Sequence, residues 1–456
     1  PTVGHPRQDL MQRPELVTIA GAAALGAVVG AWLSNAVGRA LRRQRQAVTA
    51  SSRDTAVDRS TRELLHRSKS LAPNSGFPPE SPAAPKVELH VHLDGSLDVS
   101  LLFATSKAAG IELPEAVPLA WDPSQPLKVR EPVEQCSTVQ EFHRLVTCKG
   151  KQSLRAMIEC FEIFTPIVRG RLRLIEDLAL RFVERQAAQR VVYTEVRYSP
   201  HLLATGGSFA AGGQVVDPNP VVDAVTRGLR RGEAMFGVTV NQIMCCIVWR
   251  PDWAESVVDI ANKRKNDFPC AVVGVDIAAG EEHFDADKYP DLYGPHRAAM
   301  IRAQELGLNI TIHAGEDTNA DNVRKAVNEY GAKRVGHGYR ILHHPETLKE
   351  MVEKRIHFEG CPTSSLETGG WEGLDAEAFN WFRHPIVDMI YAGASVGINS
   401  DDPSVFDTTI ASEFRIAKDG MGLTEAQLRQ ATMDAIEAAF VSEEEKDRIR
   451  AIVSAV

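Results

Sequence analysis

Short runs of apolar and β-branched residues alternate with longer amphipathic stretches from Lys86 to the end of the chain. Eight such runs predict strands, at 87–92, 191–200, 240–248, 271–279, 309–316, 334–339, 356–362 and 394–403. The stretches between them, such as 171–190 and 319–332, carry apolar residues at the spacing of one helical face. Strands that alternate with helices, without a hairpin signal between them, favour a parallel sheet.

The number of strands predicts an α/β fold of a particular kind. Eight parallel strands, each followed by a helix, indicate a closed (β/α)8 TIM barrel, and the length of the segment 86–456 leaves room for insertions. A doubly wound open sheet is the structural alternative. The glycine-rich dinucleotide turn of that fold is absent after the first strand. We therefore expect one barrel domain over residues 86–456.

The N-terminal part of the chain has a different composition. Residues 16–37 contain no charged side chain, and a stretch of this length can cross the roughly 30 Å hydrocarbon layer of a bilayer. We expect a tail over 1–45 with a candidate transmembrane helix at 16–37. A flexible, disordered linker over 46–85 follows, because this segment is polar and rich in proline.

The charges around the apolar stretch predict its orientation. Arginines are concentrated directly after it, at positions 39, 42, 43 and 45, which favours a cytoplasmic-facing barrel domain. The alternatives are an uncleaved targeting segment, or an Ala- and Gly-rich helix too weakly apolar to insert. The second alternative leaves a soluble cytoplasmic protein.

Composition excludes several classes of function. A net charge of −9 lacks the basic footprint of a nucleic-acid-binding protein, so no nucleic acid is expected as a partner. The seven cysteines include no C-x-x-C pair. Neither a disulfide framework nor a thiolate zinc site is therefore predicted, and a reducing compartment fits best.

Histidines and carboxylates lie at the ends of several predicted strands. Side chains two apart on a strand project to the same face, as in the first strand's HVH. The carboxyl ends of barrel strands meet on one face of the molecule, where active sites are built. We therefore expect the following side chains to converge: His90, His92, His313, His337, Asp401 and Asp402.

This set of side chains suits metal-assisted hydrolysis. Neutral imidazoles with a carboxylate, and without thiolates, are typical of a catalytic zinc site that leaves one position for water. Bound zinc lowers the pKa of that water to roughly 7. No lysine lies among the strand-end motifs to bridge a second metal, so we expect one zinc ion. The candidate ligands are His90, His92, His313 and Asp401.

Six motifs, in this order, resemble the adenosine deaminase family: HVHLDGS, VVYTEVRYSPHLLA, TIHAGE, VGHGY, CPTSS and NSDDPSVF. The likeness covers residues 86–456, and the segments IMCCI and GMGLTEAQL are similar to the animal-type enzymes in particular. The resemblance implies a (β/α)8 barrel that hydrolyses adenosine and 2′-deoxyadenosine. The products would be inosine, 2′-deoxyinosine and ammonia, in purine salvage.

The resemblance also implies a role for each matching residue. Glu316 matches the donor of a proton to purine N1, His337 the group that orients the attacking water, and Asp402 the partner of purine N7. The metal ligands it implies are the four candidates already derived from the strand ends: His90, His92, His313 and Asp401.

Further matches concern substrate contacts. His92 lies close to the nucleoside as well as the metal, and Asp94 matches a carboxylate that accepts hydrogen bonds from ribose hydroxyls. Gly280, in DIAAGEE, matches a glycine whose backbone N–H approaches purine N3. One alanine more than in the mammalian pattern precedes this glycine, so Ala279 takes its place if the register is read from the left.

Each assignment has a simpler alternative. Asp94 could cap the turn after the first strand, Glu316 could cap the next helix, and Cys361 is interpreted as a small buried apolar group. For the whole chain, the alternatives are an adenine deaminase or an AMP deaminase with the same metal site. A non-catalytic, membrane-anchored nucleoside-binding protein is the alternative outside the enzymes.

Overall fold

The computed structural model describes residues 84–118, 129–150, 153–204, 216–281, 289–371 and 380–455. Its strands are β1 (Lys86–His92), β2 (Ala116–Pro118), β3 (Val129–Pro132), β4 (Val191–Tyr198), β5 (Thr239–Ile247), β6 (Val272–Ala278), β7 (Asn309–Ala314), β8 (Arg334–His337), β9 (His357–Gly360) and β10 (Ser395–Ile398). All eight predicted strands are present. They form one parallel sheet in the order β1-β4-β5-β6-β7-β8-β9-β10.

The sheet curls until its two ends meet. Just beyond β10, the N–H of Asp401 donates to the carbonyl of His90 at 3.0 Å, and the Asp401 carbonyl accepts from the N–H of His92 at 2.8 Å. These bonds form a parallel bridge between Val91 and Asp401. Eight parallel strands in a nearly closed ring, with helices between them, are the arrangement of the predicted (β/α)8 barrel rather than an open sheet.

Helices follow or precede every strand of the ring. They are α1 (Val99–Ala108), α2 (Val139–Val146), α3 (Leu154–Val168), α4 (Leu172–Ala188), α5 (Pro200–Leu203), α6 (Asn219–Phe236), α7 (Ala254–Arg264), α8 (Pro290–Glu305), α9 (Ala320–Asn328), α10 (Pro345–Glu353), α11 (Pro362–Glu367), α12 (Pro385–Tyr391), α13 (Pro403–Phe406), α14 (Ile410–Arg415), α15 (Glu425–Ala438) and α16 (Glu443–Ser454). The amphipathic stretches at 171–190 and 319–332 form α4 and α9, as predicted.

The insertion between β1 and β4 contains the one departure from parallel pairing among the described residues. Here β2 and β3 form a separate antiparallel pair, which the sequence analysis did not predict. Both strands are short, with the sequences AVP and VREP. Neither has the run of alternating apolar residues that predicts a strand.

The barrel interior contains buried charges as well as apolar side chains. The guanidinium of Arg334 pairs with Glu195 at 2.6 Å and with Glu359 at 2.7 Å, and all three side chains are at most 1% exposed. On β1, Glu88 accepts from the N–H of Ser400 at 2.9 Å. A buried charge is tolerated only when it is paired and hydrogen-bonded, a condition that Arg334, Glu195 and Glu359 meet. Glu88 is hydrogen-bonded, and burial raises its pKa.

The predicted N-terminal elements lie outside the described residues. These are the tail 1–45, its candidate transmembrane helix at 16–37 and all but the last two residues of the linker 46–85. Within the described ranges, no helix has both the length and the apolar character needed to cross a bilayer. The anchor and the linker therefore stay predictions from the sequence.

Candidate functional site

The four predicted metal ligands come together at the carboxyl end of the barrel. His90 and His92 end β1, His313 lies near the end of β7, and Asp401 follows β10. The Nε2 atoms of His92 and His313 are 3.2 Å apart. Asp401 Oδ1 lies 3.1 Å from His90 Nε2 and 3.4 Å from His92 Nε2. One potential ligand atom from each residue lies within 4.8 Å of the other three.

Hydrogen bonds at Nδ1 of two of the imidazoles direct their Nε2 atoms toward the candidate metal position. His90 Nδ1 donates to Glu359 at 2.8 Å, and His313 Nδ1 donates to Asp276 at 3.0 Å. A carboxylate at Nδ1 holds the proton there and makes Nε2 a lone-pair acceptor. His90 Nε2 is buried without a hydrogen-bond partner. Three imidazole nitrogens and a carboxylate oxygen, facing one another in this way, fit a zinc ion.

The groups behind the ligands were missed in the sequence analysis. Arg197 on β4 pairs with Asp276 at 2.9 Å and with Glu359 at 2.6 Å, and none of the three side chains is exposed. Burial alone would raise the pKa of Glu359, but the charges of Arg197 and Arg334 hold it well below its usual range. The available signal was charge inside apolar strands, as in EVRY, VDIA and HFEG.

Glu316 and His337 lie next to the cluster of ligands. Glu316 Oε2 is 3.7 Å from His337 Nε2, which is also 3.7 Å from Asp401 Oδ2. Burial, with the charges of Asp317 and Asp401, raises the pKa of Glu316 well above its usual range. This environment favours the protonated form of the carboxyl group. The helix-cap alternative is not supported, because the side chain of Asn319 caps α9.

Tyr339 orients the His337 ring and was also missed. Its hydroxyl lies 3.3 Å from His337 Nδ1 and accepts from the N–H of Cys361 at 2.8 Å. Tyr339 belongs to the VGHGY motif, so its proximity to His337 in sequence was the available signal. Cys361 is fully buried, and burial raises the pKa of its thiol well above the usual range, which agrees with a packing role.

Asp94 is buried near the ligands and has a free oxygen. Its Oδ2 accepts from the N–H of Ser199 at 3.2 Å, and its Oδ1 lies 4.0 Å from His92 Nδ1 without a hydrogen-bond partner. Burial raises the pKa of this carboxyl group to about 7. The cap of α1 is Asp98, whose side chain accepts from the N–H of Leu101. Asp98 rather than Asp94 therefore caps α1, and a role of Asp94 in the turn after β1 stays a prediction.

Asp402 has a buried oxygen without a hydrogen-bond partner. The atom is Oδ1, and it lies so close to Gly95 that a Cβ atom added there would be 1.7 Å away. Glycine at this position therefore leaves room for the carboxyl group. Gly95 lies three residues after His92, in the HVHLDGS motif.

The loop after β6 has an unusual backbone where the extra alanine occurs. Ala279 and Gly280 both have positive φ, of +68° and +50°. Left-handed backbone is strained for alanine and easy for glycine. A Cβ atom at Gly280 would lie 3.7 Å from the ring of Trp249, an ordinary contact distance. Both candidates for the contact with purine N3 thus lie directly at the carboxyl end of β6.

Comparison with known sequences shows which proteins this chain is similar to. The adenosine deaminase family model matches residues 85–456. The adenosine deaminase of Xenopus tropicalis is 34% identical over 80% of this chain and 93% of its own length. The adenosine deaminase of Gallus gallus is equally similar. That of Mus musculus is 32% identical over 80% of this chain and 95% of its own.

Solved structures show the same fold at lower identity. The adenine deaminase of Arthrobacter aurescens superposes with a TM-score of 0.66 at 21% identity, covering 82% of this chain and 99% of its own. An amidohydrolase from Burkholderia ambifaria, solved with bound zinc, gives a TM-score of 0.66 at 23% identity and covers 84% and 95%. At this identity the structures establish the fold alone. The family model and the relatives of 32–34% identity establish that this chain belongs to the adenosine deaminase family and is a hydrolytic deaminase.

Proposed function

We propose that this protein hydrolyses adenosine and 2′-deoxyadenosine to inosine and 2′-deoxyinosine, with release of ammonia, as a zinc-dependent enzyme of purine salvage. Several relatives of 32–34% identity are named adenosine deaminase, which supports adenosine as the substrate. The observation that carries the proposal is the convergence of four potential ligand atoms beside the buried carboxyl group of Glu316.

One zinc ion would be held by His90, His92, His313 and Asp401. When bound, zinc supplies a Lewis acid that lowers the pKa of a water molecule and makes it a nucleophile at neutral pH. Behind it, Asp276 and Glu359 fix the proton on Nδ1 of two of the histidines. Such partners orient the ligands and raise their basicity.

Glu316 would activate the purine ring. Burial raises the pKa of its carboxyl group well above the usual range, which favours the protonated form that would donate a proton to purine N1. Protonation of N1 withdraws electrons from C6, where the amino group is replaced. General acid catalysis of this kind contributes about 10²–10⁴-fold to a rate.

His337 would orient the attacking water molecule. Its Nε2 lies 3.7 Å from Asp401 Oδ2, and therefore faces the ligand cluster. Tyr339 contacts the opposite nitrogen of the ring and restricts its rotation. A water molecule that enters the cluster can thus hydrogen-bond to the imidazole before it attacks C6.

Three further groups would hold the nucleoside. Asp402 would donate a hydrogen bond to purine N7 from the protonated form of its carboxyl group, which burial and the charge of Asp401 favour by raising its pKa. The backbone N–H of Gly280 or of Ala279 would approach N3. Asp94 would accept from a ribose hydroxyl through its free Oδ1, beside His92. Free adenine offers no such hydroxyl, and a phosphate would bring a second negative charge toward a buried carboxylate. Asp94 therefore favours adenosine over adenine and AMP.

A comparison of substrates tests the proposal. Adenosine, 2′-deoxyadenosine, adenine and AMP are each incubated with the purified full chain in the presence of zinc, and ammonia release is measured. We expect turnover of both nucleosides, with kcat/KM for adenine and AMP lower by about 100-fold or more, since unpaired buried polar groups discriminate strongly. Preferred turnover of adenine or AMP would assign the chain to one of those activities instead.

A further inference from the structure

A second buried glutamate lies beside the proposed proton donor, on a different loop. Glu281 follows Gly280 after β6, and only 4% of it is exposed. Its carboxylate accepts hydrogen bonds from four consecutive backbone N–H groups between β7 and α9. The donors are Gly315 at 2.7 Å, Glu316, Asp317 at 3.0 Å and Thr318 at 3.3 Å.

This carboxylate sets the conformation of the turn that carries Glu316. The four N–H groups lie between the last residue of β7 and the first residue of α9, where ladder and helix bonds do not satisfy them. Bonds from N–H groups to an ionised carboxylate are about twice as strong as neutral ones. From α9, the amide of Asn322 donates to Glu281 at 3.3 Å and to Thr318 at 2.6 Å. The turn therefore binds a side chain of the loop after β6, Glu281, and a side chain of α9, Asn322.

The position of Glu281 in the chain links two contacts to the same purine ring. Its own backbone follows Ala279 and Gly280, which are proposed to face N3, and its side chain holds the turn that presents Glu316 to N1. N1 and N3 flank a single carbon atom of the ring. Glu281 thus fixes the spacing between these two contacts.

We propose that Glu281 is a positioning residue that acts through Glu316, and this inference rests on the proposed function. Glu281 contacts backbone N–H groups rather than reacting atoms. Its effect on the reaction is to keep the carboxyl group of Glu316 in reach of N1. Displacement of a catalytic group by about 1 Å is sufficient to cost about 10²-fold in rate.

The test variant is Glu281→Gln. Glutamine keeps the size and one acceptor oxygen, but its NH₂ group faces N–H donors and cannot accept from them. Glu413→Gln is the matched control. Glu413 is also fully buried, and it accepts from the N–H of Thr363 at 3.0 Å and from the hydroxyl of Thr408. It has no proposed part in the reaction.

The experiment measures kcat and KM for adenosine in four zinc-loaded proteins: the wild type, E281Q, E316Q and the double variant. We expect E281Q to lower kcat by about 10–10²-fold and to change KM by less than about threefold. In the E316Q background, E281Q should cause no further loss beyond about twofold, because the two residues act as one unit. E413Q should retain the wild-type kcat.

Amide hydrogen exchange gives a readout that does not depend on activity. In E281Q, amides of the turn 315–318 should exchange at least about tenfold faster than in the wild type, because an NH₂ group replaces one of the two acceptor oxygens that they share. In E413Q these amides should exchange at the wild-type rate. A purely structural role predicts a lower melting temperature with unchanged kcat per folded molecule.

Several results would overturn the inference. They are a wild-type kcat in E281Q, an equal loss in the E316Q background, or unchanged exchange at 315–318. If E281Q does not fold, Asn322→Ala removes one donor to the same carboxylate, and a kcat that stays within about twofold of the wild type refutes the role of the turn. A wild-type protein that does not deaminate adenosine refutes the proposed function instead, and the exchange measurement then still tests whether Glu281 holds the turn.

Discussion

Glu316 Oε2 lies 3.7 Å from His337 Nε2, and neither side chain is more than 5% exposed. Burial favours the neutral form of a carboxyl group and the neutral form of an imidazole alike. Both side chains can therefore remain neutral while each has a different role in the proposed reaction. In the proposed reaction, Glu316 would hold a proton for the purine, and His337, whose Nε2 lies 3.7 Å from Asp401 Oδ2, would orient the attacking water.

Glu316→Gln tests the proton donor. The amide keeps the shape of the side chain but lacks an acidic proton, so we expect kcat to fall by about 10²–10⁴-fold. Zinc content, measured by atomic absorption, should remain that of the wild type because Glu316 is not among the proposed ligands. Near-full activity in E316Q would show that the proton comes from another group.

The pKa of Glu316 also predicts how stability depends on pH. Because its pKa is raised on folding, Glu316 favours the folded state below the ordinary carboxyl pKa, and this contribution is lost as pH rises through the raised value. Glutamine does not titrate. The free energy of unfolding of E316Q relative to the wild type should therefore increase between pH 5 and pH 9. Denaturant titrations of both zinc-loaded proteins measure this difference, and a constant or decreasing difference would contradict it.

Gly95→Ala tests the space that Asp402 occupies. The new Cβ atom would lie 1.7 Å from Asp402 Oδ1, so the carboxyl group must move. We expect a loss of about 2–4 kcal/mol in the free energy of unfolding, together with a lower kcat/KM for adenosine. Gly294→Ala in α8 is the control, because nothing lies within 4 Å of its added Cβ atom. Equal behaviour of the two variants would refute the steric argument.

Tyr339→Phe tests the orientation of His337. Loss of the hydroxyl leaves the buried N–H of Cys361 without its acceptor, which costs about 1–3 kcal/mol in the free energy of unfolding. The His337 ring also loses its contact at Nδ1. We expect kcat to fall while KM for adenosine changes little, as measured by steady-state kinetics. An unchanged kcat would mean that packing alone orients the imidazole.

The fold and the positions of the proposed metal ligands could be predicted from local patterns in the sequence. His90, His92, His313 and Asp401 come directly after apolar runs, and the closure of parallel strands brings the ends of such runs together. The strand alternation itself identified the barrel. Neither step required knowledge of loop conformation.

Other parts of the site depend on contacts that no local pattern encodes. Glu281 binds the amides of a turn about 35 residues away along the chain, and only the packing of two loops creates that contact. Arg197 lies inside an apolar strand, where its charge predicts a partner without saying which one. The β2–β3 pair was missed for a related reason, since its strands are too short to show a period.

Zinc titration of the metal-free protein tests whether deamination requires one bound zinc ion per chain. Chelator-treated full chain is dialysed, zinc is added in small steps, and adenosine deamination is measured at each step. We expect no turnover without metal and a linear rise in the deamination rate that ends at one zinc ion per chain. In His313→Ala this rise should be abolished. Deamination by the metal-free protein, or a rise that ends at two zinc ions per chain, would contradict it.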